Sequence, residues 1–281
     1  MSGQAQPPSE REGRIGACFA RCRAEGRAAL VGYLTGFDPD RAASLEGLIA
    51  ACEAGVDVLE LGVPFSDPAA DGPEIQAAMV RALAAGATLE RVLELAAELR
   101  ARFPELPIVL FSYANPLLSG ARREPAGVAG FCARLRQVGV DGLLVVDLPP
   151  EEAAILREPA RAAGLDWIAL CAPTSPGPRR ERLVRHASGF VYAVSLTGVT
   201  GAALDASSPA LHAQLDDLRG RTELPICVGF GVREPAQVAA LAPGVDGVVV
   251  GSALVRAARE GPEALRGLVA SLRAATSRGA S

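Results

Sequence analysis

An α/β chain closed into a single (β/α)8 barrel is the fold predicted here. Three observations lead to it: eight apolar runs of strand length, helical stretches alternating with them, and a length of 281 residues, which suits one barrel domain. The runs are rich in Val, Ile and Leu and are bounded by Gly, Pro or Asp. Near-continuous apolar strands fit parallel pairing with both faces covered, and alternation with helices fits βαβ units. A doubly wound open sheet is the alternative, and the dinucleotide-type glycine fingerprint that would favour it after the first strand is missing.

Taken in order, residues 1–13 (MSGQAQPPSEREG) read as a disordered lead-in without the apolar stretch of a secretory signal, and an extra N-terminal helix is expected after them. AALVGYL from Ala28 is the first strand, with a helix over 42–54. VDVLEL from Val56 opens into a long inserted loop, GVPFSDPAADGPEIQ, and a helix from Glu74. A helix over 88–102 then leads to IVLFSY from Ile108. The helix at 126–137 precedes GLLVVD from Gly142, and the helix at 151–163 precedes DWIAL from Asp166. FVYAVS from Phe190, PICVGF from Pro225 and GVVVGS from Gly247 complete the ring, with helices at 209–218 and 236–241. This TIM-barrel domain is expected to span 14–275, with a flexible end at 276–281.

A weak internal repeat supports the arrangement. AGVDVLELG at Ala54, VGVDGLLVVD at Val138 and PGVDGVVVGS at Pro243 share a Gly-Val-Asp lead into an apolar strand. Such turns favour Gly and Asp in any case, and either way they mark the bottom of the barrel. Chemistry belongs at the other, C-terminal ends of the strands.

Composition narrows the function. Net charge is -4, which implies no attraction to nucleic acid or anionic lipid. No apolar run approaches 18 residues, so no membrane span is expected and a cytoplasmic protein is. Six cysteines without a CxxC pair and two histidines speak against a zinc site or a disulfide framework, and no metal is expected. All 28 basic side chains are arginine, so a lysine imine is excluded.

Strand parity places Val56, Val58 and Glu60 on one face and Asp57, Leu59 and Leu61 on the other. The leucines suit the helical layer, which sends Glu60 inward near the mouth. A carboxyl there either is satisfied by neighbouring amides or takes a raised pKa, which a proton-transferring group requires. Asp71 lies in the loop that follows. Asp before Gly-Pro can simply cap a helix, and pairing with Glu60 offers a functional alternative.

The segment LELGVPFSDPAADGPEIQ resembles the signature of the tryptophan synthase α chain family. YLTGFDP at Tyr33, YANP at Tyr113, VVDLP at Val145, SLTGVTGA at Ser195, VGFGV at Val228 and VGSALV at Val250 accompany it in order, so the resemblance covers roughly 28–254. It implies retro-aldol cleavage of indole-3-glycerol phosphate to indole and glyceraldehyde 3-phosphate, with Glu60 moving protons and ionised Asp71 accepting the indole N–H. The resemblance further implies a phosphate site at Gly201, Gly231, Gly251 and Ser252, Thr200 closing a lid onto Asp71, and Tyr113, Asn115 and Tyr192 lining the substrate. Asp147 is expected to order a neighbouring loop. Singly, the glycines and Asn115-Pro116 can be turn residues, and Tyr192 can be barrel filling.

No cofactor is implied in this chain. A tryptophan synthase beta chain partner carrying PLP is implied, in an alpha2-beta2 heterotetramer, with a face near Pro64, Asp67 and Asn115. A free-standing lyase releasing indole would use the same site, and a non-catalytic barrel would have no need of both acids. Ala69 and Leu196 depart from the usual pattern, in which a bulkier apolar residue and an arginine are common; they bear on the lid and the partner face.

Overall fold

The computed structural model describes residues 13–195, 206–229 and 231–278. Among these, nine parallel strands form one sheet. They are β1 (Ala29–Thr35), β2 (Val58–Gly62), β3 (Ile108–Ser112), β4 (Gly142–Val145), β5 (Asp166–Trp167), β6 (Ala169–Cys171), β7 (Val191–Val194), β8 (Ile226–Gly229) and β9 (Gly247–Val250). The order is β5-β4-β3-β2-β1-β9-β8-β7-β6, so the two ends of the list are consecutive pieces of chain and the ring closes through Ile168. This is the expected TIM barrel. Every residue of β1 to β4 and of β7 to β9 is buried, because the sheet is filled inside and covered by helices outside.

The fifth predicted strand, DWIAL, is the one that differs. β5 pairs only with β4 and β6 only with β7, with Ile168 N donating to Leu143 O between them. Closing a barrel requires a stagger of register, and here the stagger moves the two neighbours to different halves of one run.

The extra N-terminal helix is present as α1 (Arg14–Ala24). Its buried face closes the bottom of the barrel: a Cβ on Gly142 would meet Ile15 at 3.2 Å, and one on Gly247 would meet Phe19 at 3.3 Å. Next come α2 (Arg41–Ala54), α3 (Pro73–Ala84), α4 (Leu89–Arg102), α5 (Ala114–Ala121), α6 (Gly127–Gln137) and α7 (Ala154–Ala162). The remaining helices are α8 (Gly177–Arg185), α9 (Pro209–Arg219), α10 (Pro235–Leu241), α11 (Ser252–Glu260) and α12 (Pro262–Ala274). Thr276 is fully buried, and Arg27 bridges Ser277 in antiparallel fashion, so residues 276–278 are tied to the start of β1.

The Gly-Val-Asp repeat has a structural purpose. In each copy the aspartate carboxylate accepts the backbone N–H that starts a neighbouring strand: Leu30 N to Asp57 at 2.8 Å, Ile108 N to Asp141 at 3.0 Å and Ile226 N to Asp246 at 3.0 Å. The aspartate's own N–H returns a bond to the carbonyl of that same residue, at 2.9, 2.8 and 2.9 Å. Each pair is a two-point clasp that satisfies strand-end groups at the bottom rim. Arginines surround the two more buried of these three aspartates. Arg27 grips Asp57 with both terminal nitrogens at 2.7 and 2.8 Å, while Arg14, Arg100 and Arg136 converge on Asp141. Cys18 and Cys22 lie near Asp57, but both its oxygens are already bound to Arg27.

Candidate active site

The top of the barrel is built around two acids and three tyrosines. Glu60 stands in register with Tyr33 on β1 and Val109 on β3 and is 1% exposed. Its inward direction follows from Gly62, two residues on: a Cβ there would lie 2.3 Å from the Tyr33 hydroxyl, so the tyrosine fills the interior directly above. Gly229 makes the same allowance for Tyr192, again at 2.3 Å. Both glycines are needed because two large rings occupy one barrel layer.

No hydrogen-bond partner meets Glu60 Oε1 among the described residues. Burial alone pushes the Glu60 carboxyl up from 4.5 to about 8, so it is protonated at neutral pH. A satisfied structural glutamate would show a donor at that oxygen, and none stands there among the described residues.

Asp71 is not a helix cap. α3 begins after Gly72 with Pro73 in its first turn and no side-chain cap bond. The carboxylate instead accepts the Tyr113 hydroxyl at 2.6 Å, and that hydroxyl accepts Ala70 N at 3.0 Å. Gln76 holds the loop by donating to the Asp71 and Pro68 carbonyls at 2.9 and 3.2 Å. Burial raises Asp71 to about 6, and the Tyr113 bond acts in the opposite sense. Phe65 packs on Tyr113 with ring centroids 5.0 Å apart.

Tyr33 and Tyr192 both sense the two acids. Burial raises both phenols well above the ordinary value, and Asp71 and Glu60 add to the effect on each. All three tyrosines of the chain therefore converge on Glu60 and Asp71. Tyr33 was absent from the expected site residues. An aromatic side chain within a strand reads as core, and only the cross-strand register with Glu60 reveals its position.

The remaining expected positions divide. Gly251 precedes α11, with Ser252 as the helix's first residue. A Cβ on Gly251 would come within 3.5 Å of Tyr33, which places this helix N-terminus beside the site. Gly231 follows β8 with φ +85°, a conformation suited to glycine. Asn115 is exposed in α5, where it accepts from Ser119 at 3.2 Å and is not brought to the acids. Asp147 accepts Ala114 N at 2.7 Å, fixing the start of α5 beside Tyr113. Thr200, Gly201 and Leu196 lie outside the described residues.

Removing the Tyr113 hydroxyl deletes the interaction that lowers the Asp71 pKa. In Tyr113→Phe the acid limb of the kcat/KM profile should therefore move to higher pH than in wild type, and a limb that stays in place would show that Asp71 does not set it.

A protonated carboxyl and a second, largely ionised one at the C-terminal mouth of a barrel are the equipment of an acid–base enzyme. The sequence model of the tryptophan synthase alpha chain family matches residues 19–278, so the chain belongs to that family, a lyase subunit of tryptophan synthesis. The tryptophan synthase alpha chain of Halorhodospira halophila is 49% identical over 268 residues, 93% of this chain and 96% of its own. That of Gluconacetobacter diazotrophicus is 49% identical over 269 residues, 93% and 96% of the two chains. Among solved structures, a Mycobacterium tuberculosis tryptophan synthase is 39% identical with a TM-score of 0.86, covering 95% of this chain and 99% of its own. Tryptophan synthase subunit alpha of Legionella pneumophila is 35% identical with a TM-score of 0.84, covering 94% and 98%.

Proposed function

We propose that this chain cleaves indole-3-glycerol phosphate to indole and D-glyceraldehyde 3-phosphate by a retro-aldol step, with Glu60 and Asp71 as its catalytic residues. The observation that carries the reading is the buried Glu60 carboxyl, with an oxygen that has no partner among the described residues, sharing the Tyr33 and Tyr192 surroundings with a tyrosine-held aspartate. Breaking the carbon–carbon bond requires a proton on the ring carbon that departs, and protonated Glu60 supplies it. Asp71 accepts the indole N–H and stabilises the cationic ring that results. Returned to its carboxylate form, Glu60 takes the proton of the glycerol hydroxyl that becomes the aldehyde. Exclusion of water by the Tyr33 and Tyr192 rings strengthens each of these interactions.

The phosphate sits at the N-terminus of α11, where Gly251 precedes the helix and Ser252 opens it, with Gly231 after β8 as a further contributor. Tyr113 and Tyr192 border the indole side. One catalytic domain, 14–275, holds all of these groups. It works in the cytoplasm, without a cofactor or metal of its own, with a beta chain in an alpha2-beta2 heterotetramer. The PLP belongs to that partner.

The test follows the isolated full-length chain with indole-3-glycerol phosphate and measures both products. Indole and glyceraldehyde 3-phosphate should appear in equal amounts, and their rate should rise on titration with a cognate beta chain. Release of neither product would refute the reaction, and a high rate indifferent to the beta chain would replace the subunit reading with a free-standing lyase.

A further inference from the structure

Where the fifth run passes from β4 to β7, the outer helices part. α7 packs on α6 and β5, α8 packs on β6, and a cavity of about 400 Å³ lies between them. That volume is of the size that holds a small molecule. Glu60, Asp71 and the three tyrosines take no part in its walls.

Its lining has two characters. Trp167, Ile168, Leu148 and Leu183 give it an apolar part, whereas Arg157, Arg179 and Arg182 place three cationic residues on the same lining. The one carboxylate on the lining, Asp147, already accepts Ala114 N. The counter-charges of the arginines stand toward water: Arg157 pairs with Glu158, whose side chain is 57% exposed, and Arg179 and Arg182 share Glu151, which is 43% exposed. Ion pairs of that kind contribute little and exchange readily. Arg157 itself is buried, 6% exposed, and a buried guanidinium at the edge of an apolar cavity favours a planar anion that can pair with it.

We propose that this cavity is a second ligand site, for a small carboxylate carrying an apolar body of aromatic-ring size. The carboxylate meets the arginines, and the body lies on Trp167 and its aliphatic neighbours. This assignment is independent of the reaction assigned to the barrel mouth.

Trp167 is the only tryptophan of the chain, so its fluorescence reports occupancy directly. The full-length protein is titrated with 3-phenylpropionate, its neutral amide, and inorganic phosphate. The carboxylate should change the emission saturably, with the amide and phosphate at least about tenfold weaker. Arg157→Ala and Arg182→Ala should each weaken it about tenfold or more, the scale of a lost charged hydrogen bond. Arg182 is half exposed, so its variant carries the test if Arg157→Ala does not fold. Asp71→Asn should bind the probe as wild type does. No saturable change, equal binding of acid and amide, equal binding of phosphate, or indifference to Arg182→Ala would each overturn the site. Loss of binding in Asp71→Asn would move the probe to the barrel mouth and overturn it as well.

Discussion

Glu60→Gln should lower kcat for product release by about 10²–10⁴, the usual range for a general acid–base group. Glutamine keeps the shape and loses the proton, so substrate affinity should change far less than kcat. Asp71→Asn should fall in the same range, because an amide cannot supply the negative charge that the protonated indole demands. Wild type should work best between about 6 and about 8, where Asp71 is ionised and Glu60 still protonated. The alkaline limb should disappear with Glu60→Gln. A rate within about threefold of wild type in either variant would remove that residue from the mechanism.

Stability carries the same signature with a definite sign. Both acids have folded-state pKa values raised above their unfolded ones, so the native protein holds protons that the unfolded chain has released. Their contribution is therefore fully present at low pH and is lost as pH rises through about 6 for Asp71 and about 8 for Glu60. The site is in effect a local weakness retained for its chemistry.

Asp57→Ala should destabilise the fold by about 3–5 kcal/mol, as expected when one partner of a buried ion pair is removed and the other stays behind. Arg27 and Asp57 side chains are each 7% exposed, and Arg27 has no comparable carboxylate to turn to, since Glu25 already occupies its Nε. The Leu30 N–H would lose its acceptor at the same time. Urea denaturation should show a lower midpoint at unchanged slope, while the folded fraction keeps its chemistry at the far end of the barrel. A loss below about 1 kcal/mol would mean that water replaces the carboxylate and that the clasp is dispensable.

What could be read in advance depended on how local each signal was. The inward direction of Glu60 followed from parity along five residues of β2, and the structure places it so. Asp71 was ambiguous because its deciding partner, Tyr113, is 42 residues away. Helix α8 escaped detection for a different reason: GPRRERLVR buries only Val184, so it carries no apolar stripe. DWIAL read as one strand because nothing within it announces the change of neighbour at Ile168. The Gly-Val-Asp repeat was visible as a turn, yet its purpose lay in amides 27, 33 and 20 residues earlier.

Those clasps also determine where the chain can be cut and rejoined. Each joins strands that follow one another in sequence, β1 with β2, β3 with β4 and β8 with β9. New termini within α2 would send Leu30 and Asp57 to opposite ends of a permuted polypeptide, and that clasp would close only after everything between had formed. New termini within α8 would leave the partners of all three clasps as close along the chain as they are now. A circular permutant opened there should fold with its lower rim intact, and the barrel thereby carries its own natural place for new ends.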